Sequence, residues 1–502
     1  MPTGAPRTVV ASSAASTREE VMSRFAVLSM ALFALSLPAH AQPPPTKSRL
    51  LVLTDIEADP DDTQSLVRLM LYSNEIDLEG LVATTSIHMQ SEIHPDSIRQ
   101  VINAYDRVRA NLLKHTPGYP AASDLLKLVV EGQPSYGMAA VGKGKDTAGS
   151  KLILRALESP DPRPLWVTAW GGPNTLAQAL FSLREARGAE AAARLIAKLR
   201  VYTISDQDDS GAWMRREFPT LFYIVSPGGY GGATWTGIHQ VVPTLGDHPI
   251  NETISNRWLA EHIQQGHGPL GAMYPDVAYA MEGDTPAYLA LIPNGLSVPE
   301  HPDWGGWGGR YELYLPNLQT IDANGFTGGV PVEPETRPIW TNASDRVTPD
   351  VAGDYGRATH PGDKTSVGYK ETLWRWRVAI QNDFAARMDW TVMPVREANH
   401  APVARLRHAD VMTVKTGERV VLDAGGSSDP DGDSLSYRWF HYPEAGSWKT
   451  PIPLQGADNL YRRPFIAPKV QRRETAHFIL ELTDKGAPAL TRYRRVIVNI
   501  DP

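Results

Sequence analysis

Five carboxylates fall within the eight residues Asp55–Asp62, wedged between an apolar run and a helical pattern. The run is Arg49–Thr54 (RLLVLT), continuous enough to be a strand buried on both faces. The helical pattern is Thr63–Asn74, with Leu66, Leu69, Met70 and Leu71 recurring on one stripe. A strand, an acidic loop and a helix open an α/β unit, and the chain repeats it. Leu78–Thr84 reads as the next strand, Pro164–Ala169 followed by Asn174–Leu183 as another unit, and Leu199–Ile204 as the start of a further one. The expected class is α/β, a mostly parallel sheet with helices on both faces. Ligands of such sheets sit beyond the carboxyl ends of the strands, where the acidic loop lies.

Carboxylates packed this densely repel one another and raise each other's pKa. A divalent cation is the simplest relief, and oxygen-only ligands favour Ca²⁺ or Mg²⁺ over zinc. Two other readings of the same residues stay open. One is an acidic surface loop at the positive end of a helix. The other is an aspartyl-type phosphatase, for which no positioned Lys or Ser/Thr can be marked. The chain has no cysteine, which removes disulfides, thiolate zinc sites and Cys nucleophiles. Its 49 basic and 56 acidic residues leave a net charge of −7 without a basic run, so nucleic acid is not an expected partner.

At 502 residues the chain suits a large domain and a smaller one. The pattern changes near Asn399: short alternating segments such as Arg419–Asp423 and Leu435–Trp439 are separated by turn clusters, and Arg492–Ile500 closes the chain as a strand. An all-β immunoglobulin-like sandwich is expected over 399–502. Between residues 401 and 502 basic residues number 15 and acidic ones 12, so the acidity belongs to the rest of the chain. At the other end, Arg24, the apolar run Phe25–Leu37 and Pro38-Ala39-His40-Ala41 read as a secretory signal peptide starting at Met22. The run is too short to span a bilayer. The expected organisation is a leader over 1–41, a Pro-rich start over 42–48, an α/β domain over 49–398 and the sandwich, in a periplasmic or secreted protein.

The segment Asp55-Ile56-Glu57-Ala58-Asp59-Pro60-Asp61-Asp62 resembles the D-x-D-x-G-x-D-D opening of inosine–uridine-type nucleoside hydrolases. Trp170-Gly171-Gly172-Pro173-Asn174 is similar to that family's G-P-L-T-N segment. The chain further resembles a secreted bacterial branch of the superfamily labelled nucleoside hydrolase-like or cellulose-binding. That likeness rests on Pro60–Arg68, Gln207–Trp213, Glu282–Pro286, Trp304–Tyr311 and Gln381–Met388, and runs from about Arg49 to Pro394. In the tail, Gly425–Asp433 with Tyr437 and Trp439 looks like polycystic-kidney-type modules; Asp429, Asp431 and Asp433 there read as a tight turn rather than a calcium loop.

The resemblance implies a Ca²⁺ site, with Mg²⁺ the second choice, at the floor of a pocket. Asp55, Glu57, Asp62, the Trp170 carbonyl and Asp284 would be its ligands, and Asp61 would hold sugar hydroxyls. Glu57 falls where the family has the Asp that takes the proton of the attacking water. Three departures bear on this. Glu57 carries one methylene more than Asp; Asp59 replaces a Gly and is an alternative base or ligand; Gly283 precedes Asp284 where relatives place a His used as leaving-group acid. Asp276 is a rival to Asp284.

Asn174, Gln207, Asp208 and Asp209 follow strand ends and are expected to grip hydroxyls, with a helix N-cap the other reading of Gln207–Ser210. The Gly-rich stretch Trp304–Arg310 is expected to present Trp304, Trp307 and Arg310 to a sugar or base, unless its indoles are packed. His267, His301 and Glu300 are further candidate acids. Pro227–Gly232 lacks the Lys-Ser/Thr ending of a phosphate loop. The expected function is a secreted Ca²⁺-dependent hydrolase of a furanosyl-type N- or O-glycosidic bond, acting on a nucleoside, carbohydrate or polysaccharide. The alternative is a carbohydrate-binding protein that keeps the pocket without turnover.

Overall fold

Side chains of the first strand, β1 (Ser48–Thr54), alternate between two separate apolar cores: Leu50 and Val52 enter one, Leu51 and Leu53 the other. A strand that feeds a core on each side needs the unbroken apolar run seen in the sequence. β1 pairs in parallel with β2 (Ile76–Ala83) on one edge and with β4 (Leu165–Ala169) on the other, and β3 (Val129–Glu131) lies beyond β2. After β4 come β5 (Leu199–Thr203) and β6 (Phe222–Val225), then, out of chain order, β7 (Tyr311–Tyr314) at the edge behind β8 (Ile339–Asn342). The order is β3-β2-β1-β4-β5-β6-β8-β7, parallel throughout except for β7. Helices Asp61–Leu71 and Pro95–His115 pack one face; helices Ala148–Glu158, Asn174–Arg187 and Ser210–Glu217 pack the other. The chain leaves β1 toward one edge and β4 toward the other, so a crevice opens between their carboxyl ends.

The computed structural model describes residues 46–226, 232–245, 248–317, 330, 333–348 and 365–502. The expected leader, residues 42–45 of the Pro-rich start and residues 227–231 of the Gly-rich stretch lie outside the described residues. No helix among the described residues is long and apolar enough to cross a membrane.

β9 (Asp345–Val347) and β10 (Ser366–Gly368) form a small antiparallel pair. The C-terminal region is all-β: β11 (Val411–Lys415), β12 (Arg419–Asp423), β13 (Ser436–His441), β14 (Arg462–Ile466), β15 (Glu474–Thr483) and β16 (Thr491–Asp501). They form a β11-β16-β15-β13 sheet and a β12-β14 pair over a core holding Trp439, Phe465 and Phe478. Lys47–Pro502 is one unit, because this sandwich is welded to the α/β part. The Trp376 ring meets Tyr493 edge-on at 5.7 Å, and Trp307 Nε1 donates to the Tyr493 hydroxyl at 3.3 Å. Asp383, on the helix Arg377–Asp389, accepts from Arg492 at 2.7 Å and from Arg387 at 3.2 Å. Burial alone would push the Asp383 carboxyl up, yet Arg492 and Arg387 hold it at about 2.

Candidate functional site

Four strand ends meet at the crevice. The acidic loop leaves β1, Thr84–Ser86 leaves β2, Trp170–Pro173 leaves β4, and Gln207–Asp209 follows β5. The helical pattern begins two residues earlier than the apolar spacing indicated, at Asp61, so Asp61 and Asp62 form its first turn. Pro60 at the N-cap has no side-chain hydrogen bond to offer, Asp59 accepts from the first amide instead, and the helix dipole favours carboxylates there.

Oxygens of Asp61, Asp62 and Asp284 lie within 4.8 Å of one another, the one such group of potential ligands among the described residues. Asp62 and Asp284 are 3 % and 1 % exposed, and Asp284 Oδ2 is buried without a hydrogen-bond partner among the described residues. Burial first, and then the neighbouring carboxylates, push the carboxyls of Asp61, Asp62 and Asp284 well above the ordinary range. Asp55 is buried beside them and shifted the same way, mainly by burial, while a hydrogen bond from Ser86 opposes the shift. Crowded, desolvated, oxygen-only and with one orphaned oxygen, this donor set fits a hard divalent cation.

The surrounding backbone is shaped around these side chains. A Cβ at position 171 would lie 2.5 Å from Asp55 Oδ1, and one at 283 would lie 2.6 Å from Asp61 Oδ2. Glycine at both places lets the main chain approach, and the Gly283 amide donates to Asp61 Oδ2 at 3.1 Å. Thr54 Oγ1 donates to Asp62, and the Ile56 amide donates to Thr54 Oγ1 at 3.1 Å.

Asp284 is presented by a turn that two residues outside the expected set hold. Glu282 adopts a left-handed backbone with φ of 51° and is fully buried. Its carboxylate accepts from Arg68 at 2.5 and 3.0 Å, from Tyr274 at 2.7 Å and from Thr285 at 2.9 Å. Arg68 also donates to Gln381 and to the Ile380 carbonyl, and its guanidinium sits 3.8 Å over Phe384. Both partners lie in motifs that carry the resemblance, Pro60–Arg68 and Glu282–Pro286, and a cationic residue inside the apolar stripe of a helix was a further signal for this pairing. Thr54 and Ser86 had none, because their roles depend on which strands are neighbours.

Glu57 stands outside the cluster. It is exposed, adopts φ of 83°, accepts from Ser97 and lies 3.3 Å from His94 at the start of the helix Pro95–His115. Asp59 remains on the cluster side: its Oδ1 accepts from the Asp61 amide at 2.9 Å, and its charge acts on Asp55, Asp61, Asp62 and Asp284. Asp276, the rival to Asp284, is exposed and accepts from Gln264. The Trp170 carbonyl accepts from Gln207 Nε2, while Gln207 Oε1 has no partner among the described residues. Asn174 is engaged by Thr84, Thr85 and the Ser135 carbonyl. Asp208, pushed up to about 7 mainly by burial, accepts from the Ser210 amide at 2.8 Å and the Asn174 amide at 3.2 Å. Asp209 accepts from the Met138 amide at 2.7 Å. Asn174, Asp208 and Asp209 thus brace the loops around the crevice.

The Gly-rich stretch is not laid out as expected. Trp307 is fully buried against the sandwich, and Arg310 is buried and paired with Asp345 at 2.7 Å and Glu312 at 2.8 Å. Apolar burial takes Trp307 out of reach of a ligand, while Arg310, tied into ion pairs, borders a groove on the seam rather than the acidic crevice. Trp304 lies on the same seam, half-buried. The remaining candidate acids are also engaged: His267 lies 2.9 Å from Asp389, Glu300 pairs with Arg200, and His301 stacks on Trp304.

A parallel α/β sheet with a buried carboxylate cluster at its strand-order reversal defines a nucleoside hydrolase-like protein. The chain belongs to the family described as cellulose-binding Sde182, nucleoside hydrolase-like domain, which matches residues 49–311. Residues 419–500 match the C-terminal domain of cellulose-binding protein Sde0182. The chain is similar to a solved nucleoside hydrolase-related protein from Saccharophagus degradans described as associated with carbohydrate metabolism. Identity is 36 %, the match covers 91 % of this chain and all of that one, and the TM-score is 0.74. Two effector proteins, XOO4466 and XopQ, match at 13 % and 15 % identity over 74 % and 67 % of this chain, and 99 % and 95 % of theirs, with TM-scores of 0.32 and 0.29, too low to carry an argument. No curated protein matches the chain.

Proposed function

We propose that the protein is a Ca²⁺-dependent hydrolase of a furanosyl-type N- or O-glycosidic bond, exported by its leader to act on a carbohydrate or nucleoside. The observation that carries this reading is the approach of Asp61, Asp62 and Asp284 within 4.8 Å, with Asp284 Oδ2 unpartnered. Asp55, Asp62, Asp284 and the Trp170 carbonyl would hold the cation, with Mg²⁺ the less suited ion. Bound there, the cation acidifies water and gives furanose hydroxyls a point of attachment. Asp59, on the cluster side of the loop, takes the proton of the attacking water, a role that Glu57 is turned away from. Asp61 accepts from a sugar hydroxyl. The dense negative charge favours the oxocarbenium-like character that develops at the anomeric carbon.

The test is sugar release from nucleosides, aryl furanosides and arabinose- or cellulose-type glycans, with Ca²⁺, with a chelator and with Asp62→Asn. Release that the chelator and Asp62→Asn both abolish supports the hydrolase. Glycan or nucleoside binding without release at any protein concentration refutes it. A second reading, a carbohydrate-binding protein without turnover, is favoured by position 283. A residue there large enough to donate a proton to the leaving group would meet Asp61, since even a Cβ would lie 2.6 Å from its Oδ2.

A further inference from the structure

A groove of about 710 Å³ lies on the seam between the two parts of the chain, apart from the acidic crevice. One wall is the segment from Asp303 to Glu312; the other comes from the turn Glu444–Lys449 and from strands β11, β15 and β16. Its volume is that of a small-ligand site, typically about 300–1,000 Å³. Trp304 lines it with the indole partly open. That indole is held from several sides: His301 stacks on it at 3.9 Å and 7°, His477 meets it edge-on at 5.0 Å, and the Arg495 guanidinium lies 5.9 Å from the ring. A partly exposed aromatic ring whose plane is already fixed loses little entropy on binding.

The rest of the lining mixes the apolar side chains Val411, Ala445 and Ile497 with two cationic groups, Arg310 and Lys449, and three carboxylates, Asp303, Glu312 and Glu444, so its charges nearly cancel. Glu312 is paired with Arg310, Arg310 also with Asp345, and Lys449 donates to the Glu444 carbonyl. Ser447, Thr475 and Asn499 add hydroxyl and amide groups along the sandwich wall. Neither a polyanion nor a polycation is matched by such a surface. A neutral polyhydroxylated chain is: its C–H faces stack on indole, and its hydroxyls exchange hydrogen bonds with carboxylate, amide and hydroxyl groups.

We propose that this seam groove is a second carbohydrate site, which holds a neutral glycan strand on Trp304 independently of the acidic crevice. The class of ligand rests on the carbohydrate reading above; the location does not. The test is native affinity electrophoresis of the full chain through hydroxyethyl cellulose or arabinan, with polygalacturonate as the anionic control. Trp304→Ala is expected to weaken retention about tenfold, or roughly 1.4 kcal/mol, as expected for one anchoring aromatic. Ser447→Trp, which fills the groove from an exposed position, is expected to do the same. Trp304→Phe should recover part of the loss, and Trp304→Ala should cost the same factor in an Asp62→Asn background as in wild type. Retention equal to wild type in both Trp304→Ala and Ser447→Trp, each with a wild-type melting temperature, overturns the proposal. Retention lost only in Asp62→Asn overturns it too and places the glycan in the crevice, leaving the proposed function standing. No retention of wild type by either neutral glycan, or stronger retention by polygalacturonate, also overturns it.

Discussion

Replacing Asp284 by Asn tests the carboxylate cluster without relying on any substrate. In the cation-free protein Asp61, Asp62 and Asp284 hold oxygens within 4.8 Å of one another, nearly out of water. Two unit charges at that spacing repel by about 3.5 kcal/mol at an effective dielectric constant near 20. Part of this is already relieved by proton uptake, since burial and the neighbouring charges raise all three carboxyls. Asp284→Asn keeps the shape and removes one charge, so the chelator-treated variant should be more stable than chelator-treated wild type by about 1–2 kcal/mol. Millimolar Ca²⁺ should act in the opposite sense. A site of micromolar affinity gains about 4 kcal/mol at a thousandfold excess over its Kd, and the variant should lose most of that gain. The assay is urea unfolding at pH 7 of both proteins, with and without Ca²⁺, alongside calorimetric titration. A variant less stable than wild type without Ca²⁺, together with a wild type indifferent to Ca²⁺, would refute the reasoning.

Further expectations follow from single contacts. Arg68→Met leaves the Glu282 carboxylate buried and uncompensated, and should cost about 3–5 kcal/mol in urea unfolding, with Arg68→Met/Glu282→Gln recovering much of it. Gly171→Ala drives a methyl against Asp55 and should abolish the Ca²⁺-induced rise in melting temperature, whereas Gly426→Ala, where a Cβ only touches the Arg405 side chain at 3.5 Å, should keep that rise. His477, 2 % exposed and accepting from Arg495, is held down to about 3, chiefly by burial, from an ordinary 6.5. Its folded-state pKa is depressed, so its contribution is complete above 6.5 and is lost as pH falls toward 3. Between pH 7 and pH 5 the loss is about 2 kcal/mol, and His477→Gln should flatten the slope of stability against pH over that interval.

Much of the architecture was written in local pattern. The apolar run Arg49–Thr54 could only be a strand covered on both faces, and its repetition with helices implied the parallel sheet. The change of alternation after Asn399 marked the sandwich, and the crowding of acids after β1 marked the crevice. These readings need only nearest neighbours along the chain, where side-chain period and charge density are visible. The assignments at Glu57, Trp307 and Arg310 needed more. Glu57 shares its loop with Asp59, yet a left-handed backbone turns it to Ser97 and His94, a partner set 37 to 40 positions away. Trp307 and Arg310 sit in a stretch that looked like a display loop, and Tyr493 and Asp345 drew them into the seam. The sequence by itself therefore determined which residues are strands, which faces are apolar and where negative charge gathers. Only the tertiary structure decided that Asp284 rather than Asp276 completes the cluster, and that Arg68 and Glu282 hold it there. The Arg68–Glu282 pair joins residues 214 positions apart, and a long-range contact leaves no period in the chain, only two residue types that make sense together once folding has placed them side by side.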